Sequence, residues 1–132
     1  MPVTGETDLR RLLAGLDPVL HDGEYVFVTL PDRETPPGTR PVFVFEEDEG
    51  RTLVLPRAEA EEAGLDGVFP SAWITLRIHS SLEAVGMMAA IATALAEAGI
   101  SCNAVSAFYH DHLFVPPDRA RDAVAALRDL AG

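Results

Sequence analysis

The sequence predicts an α+β protein that forms one compact body from two similar halves. The chain has 132 residues, of which 48% are aliphatic or aromatic, enough to bury a core. Short runs of β-branched and aromatic residues alternate with runs whose apolar residues recur at helical spacing. No shift in composition marks a linker, so we expect one half at residues 1–71 and the other at residues 72–132.

The first half predicts the element order α-β-β-β-α. Leucines on one helical face define the first helix, and β-branched and aromatic side chains define the strands. Pro56 and Gly64 stand where a helix begins and ends. The predicted elements are a helix at residues 9–16, strands at 25–30, 42–45 and 52–55, and a helix at 56–63.

The second half predicts the order β-α-β-β-α, which is the ferredoxin-like order without its last strand. Ser80 and Glu83 have the spacing of a capping box, which predicts that the first helix of this half begins at Ser80. Since the first half lacks a leading strand, either each half takes a strand from the other or one sheet runs through both. The predicted elements are strands at 72–79, 101–109 and 112–115, a turn at 110–111, and helices at 80–98 and 118–130.

The charge balance excludes several classes of function. Twenty-one acidic residues against ten arginines give a net charge of −11, which disfavours binding to nucleic acid or to an anionic membrane. The absence of lysine excludes Schiff-base chemistry, a P-loop lysine and a lysine general base. The single cysteine, Cys102, excludes an intrachain disulfide and a cysteine-only metal site. Without a signal peptide or a long apolar segment, we expect a cytoplasmic protein.

The predicted helix start at residues 80–82 is the first candidate binding site. A helix N-terminus has unpaired N–H groups and the positive end of a dipole, which favour a carboxylate or a phosphate. The alternative is that Ser80 and Glu83 only cap the helix and satisfy those groups themselves.

The histidines suggest a metal site or a general base. His110, Asp111 and His112 lie close in sequence, and His79 lies elsewhere. Their spacing matches no standard metal motif, so we expect partly exposed histidines at a hairpin tip and no metal. A small enzyme that uses His79, His110 and Asp111 is the weaker alternative, because no nucleophile elbow accompanies them.

Two segments of the second half resemble ACT domains. Residues 99–103, followed by residues 109–116, are similar to the second and third strands of that family. Residues 72–76, followed by residues 79–86, resemble small stand-alone bacterial ACT-like proteins, which are related to the regulatory tails of aspartate kinases. The resemblance implies two tandem ACT-like units that bind a small molecule, with an amino acid as the expected ligand, and that have no cofactor and no catalytic activity.

The resemblance also implies which residues bind the ligand. The amides of Ser81 and Leu82 would hold the ligand carboxylate while Ser80 caps the helix, and Asn103 would contact the polar end of the ligand. The expected ligand-binding set is Ser80, Ser81, Leu82, Glu83, Cys102 and Asn103. We expect a homodimer, with regulation of a partner enzyme or of assembly. The alternative is a dimerisation module without a ligand, in which Leu82 or Tyr109 fills the cavity.

Overall fold

The computed structural model describes residues 5–132, which contain four α-helices and seven strands. The helices are α1 (Leu9–Ala14), α2 (Arg57–Glu62), α3 (Met87–Glu97) and α4 (Ala120–Asp129). The strands are β1 (Pro18–Leu20), β2 (Tyr25–Leu30), β3 (Phe43–Glu47), β4 (Gly50–Pro56), β5 (Val68–Leu76), β6 (Asn103–Ser106) and β7 (Asp111–Val115). A short 3-10 helix, Pro117–Arg119, precedes α4.

The described chain divides into two compact units. Unit 1 contains residues 5–21 and 73–132, and unit 2 contains residues 22–72. Strand β5 therefore begins in unit 2 and ends in unit 1.

Unit 2 has the strand order β3-β4-β2-β5. Strands β2 and β3 both pair antiparallel with β4, and β2 also pairs with the beginning of β5. Helix α2 packs on one face of these strands, whereas residues 31–42, where a ferredoxin-like unit has its first helix, contain no helix. The core of unit 2 contains Val26, Val28, Leu30, Leu53, Leu55 and Ala60.

Unit 1 has the strand order β1-β5-β7-β6. If β5 is taken as the first strand of unit 1 and β2 as the first strand of unit 2, the two units have the same strand order. In unit 1, β1 takes the place of the fourth strand. Pro18 lies opposite Leu76, and Leu20 lies opposite Ile74. The βαββα run of the second half thus gains its missing strand from residues 18–20, where no strand was predicted. The prediction of an α+β fold with ferredoxin-like units is confirmed.

The start of α3 differs from the prediction. The helix begins at Met87 instead of Ser80, and its N-cap is Gly86, whose φ of 97° lies in the left-handed region. The capping-box prediction is wrong because the Ser80 hydroxyl donates its hydrogen bond to Asp111, while the Ser81 hydroxyl accepts a hydrogen bond from the Glu83 N–H. Residues 80–86 therefore form a loop, which we call the β5–α3 loop.

The β6–β7 hairpin also turns earlier than predicted. The turn lies at residues 107–110, where the Ala107 N–H donates to the His110 carbonyl. Asp111 is the first residue of β7 and is buried, whereas the sequence predicted it in the turn.

Candidate functional site

Asp111 connects the β5–α3 loop to the β6–β7 hairpin. The Ser80 hydroxyl donates to Asp111 Oδ2 over 2.9 Å, and the Ser106 hydroxyl donates to Asp111 Oδ1. Asp111 is only 6% exposed. Each carboxylate oxygen has more than one lone pair, so the group retains the capacity to accept a further donor.

The Ser81 amide is occupied by the N-terminal segment of unit 1. Its N–H donates to the Glu6 carbonyl over 2.9 Å, and the Glu6 N–H donates to the His79 carbonyl over 2.8 Å. Because of this bridge, the Ser81 amide is not available to a ligand carboxylate in this conformation. The N-terminus of α3 has no side-chain cap, so its first N–H groups are the stronger anion-binding feature of this region.

The predicted ligand-binding residues fall into two groups. Ser80 and Ser81 are buried in the β5–α3 loop, and Leu82 and Glu83 are exposed there. Cys102 directly precedes β6, and Asn103 is the first residue of β6 and is exposed opposite Phe114. Ser106, which contacts Asp111, is at the other end of β6, about 10 Å from Asn103 at 3.3 Å per residue. The structure therefore brings the four loop residues together but does not place Cys102 or Asn103 beside them.

The Cys102 thiol is weakly acidic. Burial raises its pKa to about 11, although a hydrogen bond with the Phe114 backbone acts in the opposite direction. Little thiolate is present at neutral pH, so Cys102 is poorly suited to be a nucleophile or a metal ligand.

Exposed apolar side chains surround the β5–α3 loop and the hairpin tip. Leu82 is 66% exposed, Val85 is 84% exposed, and Phe108 and Tyr109 at the tip are each 59% exposed. The two segments are neighbours, because the rings of His79 and Tyr109 are 5.2 Å apart. Exposed apolar side chains grouped in this way are typical of a binding surface.

The structure does not join His79, His110 and Asp111 through hydrogen bonds among the described residues. Both Asp111 oxygens accept hydrogen bonds from hydroxyl groups, and no hydrogen bond joins Asp111 to a histidine in residues 5–132. The His79 ring lies beside the Tyr109 ring at an interplanar angle of 55°. The rings of His110 and His112 are 6.5 Å apart. Across the same residues, no three metal-ligating side chains converge.

Sequence reasoning missed a cluster that includes His21. Its ring stacks on Trp73 with a centroid distance of 3.6 Å, and its Nε2 lies 2.7 Å from Thr75 Oγ1. Alternation along β5 places Trp73 and Thr75 on one face, but nothing in the sequence indicated β1, which brings His21 to them.

His112 completes this cluster as a hydrogen-bond acceptor. The Trp73 indole N–H donates to His112 Nδ1 over 3.0 Å. Since an indole can only donate, Nδ1 carries no proton and the neutral imidazole has its proton on Nε2. Burial lowers the pKa of His112, and His110 and His21 lower it further, against the opposing effect of Asp111.

No helix in the described part of the chain is long and apolar enough to span a membrane.

The chain is similar to several known proteins over most of its length. Residues 4–72 and residues 68–129 each match the ACT domain. A Vibrio cholerae protein of unknown function, described as a possible transport protein, is 42% identical, with a TM-score of 0.82 over 94% of this chain and 96% of that chain. No curated protein matches this chain.

Two further solved structures share the fold at lower identity. A protein from Agrobacterium tumefaciens is 19% identical, with a TM-score of 0.67 over 86% of this chain and 87% of that chain. The ligand-free regulatory subunit of aspartate kinase from Thermus thermophilus is 11% identical, with a TM-score of 0.67 over 88% of this chain and 97% of that chain. With two consecutive matches that together span residues 4–129, the chain belongs to the ACT-domain family, whose members are regulatory modules.

Proposed function

We propose that this regulatory ACT-type protein binds a free amino acid at the β5–α3 loop of unit 1. The observation that carries the proposal is the position of an uncapped helix N-terminus next to a loop that is tied to a buried carboxylate. The first N–H groups of α3 suit the α-carboxylate of the ligand. Asp111 suits its ammonium group, because a buried carboxylate binds a cation strongly when hydrogen bonds orient it.

The likeness to the Thermus thermophilus aspartate kinase regulatory subunit supports a regulatory role for the bound amino acid. We propose that the protein is a cytoplasmic homodimer without catalytic activity, and that ligand binding alters its self-association or its contact with a partner enzyme. The exposed side chains of Leu82, Val85, Phe108 and Tyr109 are the proposed contact surface. In sequence, we propose ACT-like units at residues 1–71 and 72–132.

The predicted ligand-binding set is retained in modified form. Ser80 positions Asp111, and Ser81 shapes the turn that leads into α3. Leu82 and Glu83 line the exposed side of the loop. We propose that Cys102 and Asn103 contact a ligand only if a second protomer brings the beginning of β6 to the loop.

A thermal-shift screen of the twenty amino acids tests this proposal. A ligand that binds only the folded state stabilises it by about 2.7 kcal/mol at a hundred times its Kd, so a binder gives a measurable rise in Tm. Asp111→Asn keeps the shape of the side chain but removes its charge, and we expect it to abolish the ligand-induced shift. The control is Ser71→Ala, which removes a buried hydroxyl from unit 2 and should leave the shift intact. No shift with any amino acid at millimolar concentration would contradict the proposal.

A second candidate function is a dimerisation module without a ligand. The Ser81 amide favours it, because the Glu6 carbonyl already satisfies this group. The exposure of Leu82 and Tyr109 disfavours it, since neither side chain fills a cavity at the loop. Light scattering at several protein concentrations, together with the thermal screen, separates the two functions: the module predicts a constant dimer and no ligand response.

A further inference from the structure

One buried polar atom of the described chain lacks a partner, and it lies next to the proposed site. Among the buried side-chain nitrogen and oxygen atoms of residues 5–132, only Nε2 of His79 has no hydrogen-bond partner. An unsatisfied buried polar atom lowers the stability of a folded protein, so each such atom calls for an explanation.

The surroundings of His79 connect it to the binding site. Its carbonyl accepts the Glu6 N–H, and the next residue, Ser80, bonds to Asp111. The imidazole lies beside the Tyr109 ring, whose side chain is 59% exposed at the hairpin tip. Tyr109 lies on an exposed turn and is not part of the buried core, so a rotamer change of its side chain, which ligand access to the imidazole would require, leaves the core intact.

Resting on the proposed function, we propose that His79 is a specificity-determining residue that hydrogen-bonds an uncharged polar group on the side chain of the bound amino acid. In the proposed function, the α3 N-terminus and Asp111 bind the carboxylate and the ammonium group of the ligand, which leaves its side chain for His79. Nε2 of an imidazole makes one hydrogen bond, as donor or as acceptor according to the tautomer, and a hydroxyl or an amide can match either role. Asp111, which accepts the hydroxyl of the neighbouring Ser80, disfavours an acidic ligand side chain at this position by like-charge repulsion.

Nearly isosteric pairs of amino acids test this assignment. A site that hydrogen-bonds a hydroxyl or an amide rejects an analogue without that group strongly, whereas an apolar pocket separates the two only weakly. The probes are threonine against valine, asparagine against leucine, and glutamine against methionine. For the wild-type chain we expect the polar member of at least one pair to bind about tenfold or more tightly than its apolar partner in calorimetry.

The matched variant is His79→Phe, which keeps a ring beside Tyr109 but has no nitrogen. We expect its Tm without ligand to equal or exceed that of the wild type, because the unsatisfied nitrogen is gone. We expect its discrimination within the pair to fall to about twofold or less. Unchanged discrimination in the variant would overturn the role of His79.

A measurement on the unaltered chain keeps the proposal testable if His79→Phe does not fold. The ¹⁵N resonance of His79 Nε2 should shift when the polar member of the pair binds and should stay in place with the apolar member. No Nε2 shift with a bound polar amino acid would mean that the ligand does not bond to this nitrogen, which overturns the assignment and leaves the proposed function intact. If no amino acid binds at all, both the proposed function and the role of His79 are wrong. If only apolar or charged amino acids bind, the proposed function stands and the role of His79 is wrong.

Discussion

At the scale of single residues, the protonation of His112 makes its hydrogen bond with Trp73 depend on pH. Its Nδ1 must stay unprotonated to accept the indole N–H of Trp73, and the groups that affect its charge are His110, His21 and Asp111. The pKa of His112 is lowered from its ordinary value of 6.5 in the folded chain, mainly by burial. Below pH 6.5 the unfolded chain therefore binds more protons at this position than the folded chain does.

We accordingly predict that His112 contributes stability that is fully present above pH 6.5 and is lost as the pH falls through its folded pKa. Trp73 is the single tryptophan of the chain, so its fluorescence should change over the same range. Denaturation at a series of pH values between about 8 and 5 measures the loss, with His112→Gln as the matched variant that does not titrate. Equal pH dependence in the two proteins would show that His112 makes no contribution.

The sequence pointed to residues 80–82 as a candidate binding site but predicted a helix start there instead of a loop, and it did not show the hydrogen bonds that shape this loop. Residues 80–83 carry a valid local capping pattern, and local patterns report only what a segment prefers by itself. Asp111 lies 31 residues from Ser80 in sequence and offers a buried acceptor that outcompetes the cap. The unsatisfied His79 Nε2 leaves no trace in the sequence either, because an absent partner is visible only in three dimensions.

At the scale of elements, the strands with a strong pattern were predicted to within a few residues. Strands β2 and β4 and helix α2 agree with their predicted ranges because their composition and their Pro and Gly boundaries are local properties. Strand β1 was missed because three residues are too few to show alternation. It forms because the end of β5 offers an edge with which it can pair.

The β3–β4 hairpin depends on glycine at position 50. Gly50 has a φ of +150°, and a Cβ there would lie 2.6 Å from the Leu30 carbonyl oxygen. Gly23 has a φ of +85° with nothing within 4 Å of its Cβ position, so it serves as the matched control. We predict that Gly50→Ala lowers the free energy of unfolding by more than about 1 kcal/mol. Gly23→Ala should lower it less, because it introduces strain without a clash; equal losses in urea denaturation would contradict this assignment.

At the scale of the whole molecule, unit 1 is assembled from both ends of the described chain. The cleft beside Leu127 and Ala131 is also lined by Leu16 and Pro18, so the end of α4 lies next to the start of β1. A ferredoxin-like unit joins these two elements directly through the chain, whereas here they are separated in sequence.

This proximity predicts that unit 1 folds as a permuted chain. Residues 73–132, joined through a short glycine–serine linker to residues 5–21, should unfold cooperatively and give a dispersed NMR spectrum. Residues 73–132 alone should not, because they lack β1 and the buried side chains of Leu12 and Leu16. Cooperative unfolding of residues 73–132 alone would show that the borrowed strand is dispensable.

The insertion of unit 2 has a consequence for the order of events during synthesis. All strands of unit 2 lie within one continuous stretch, so this unit is complete once residue 72 has left the ribosome. Strand β1 is made earlier but has no partner until the end of β5 emerges, and the rest of its unit follows only with β7 and α4. Strand β1 is thus translated before unit 2 but pairs only after it, and until then its backbone N–H and C=O groups are free to pair with another chain.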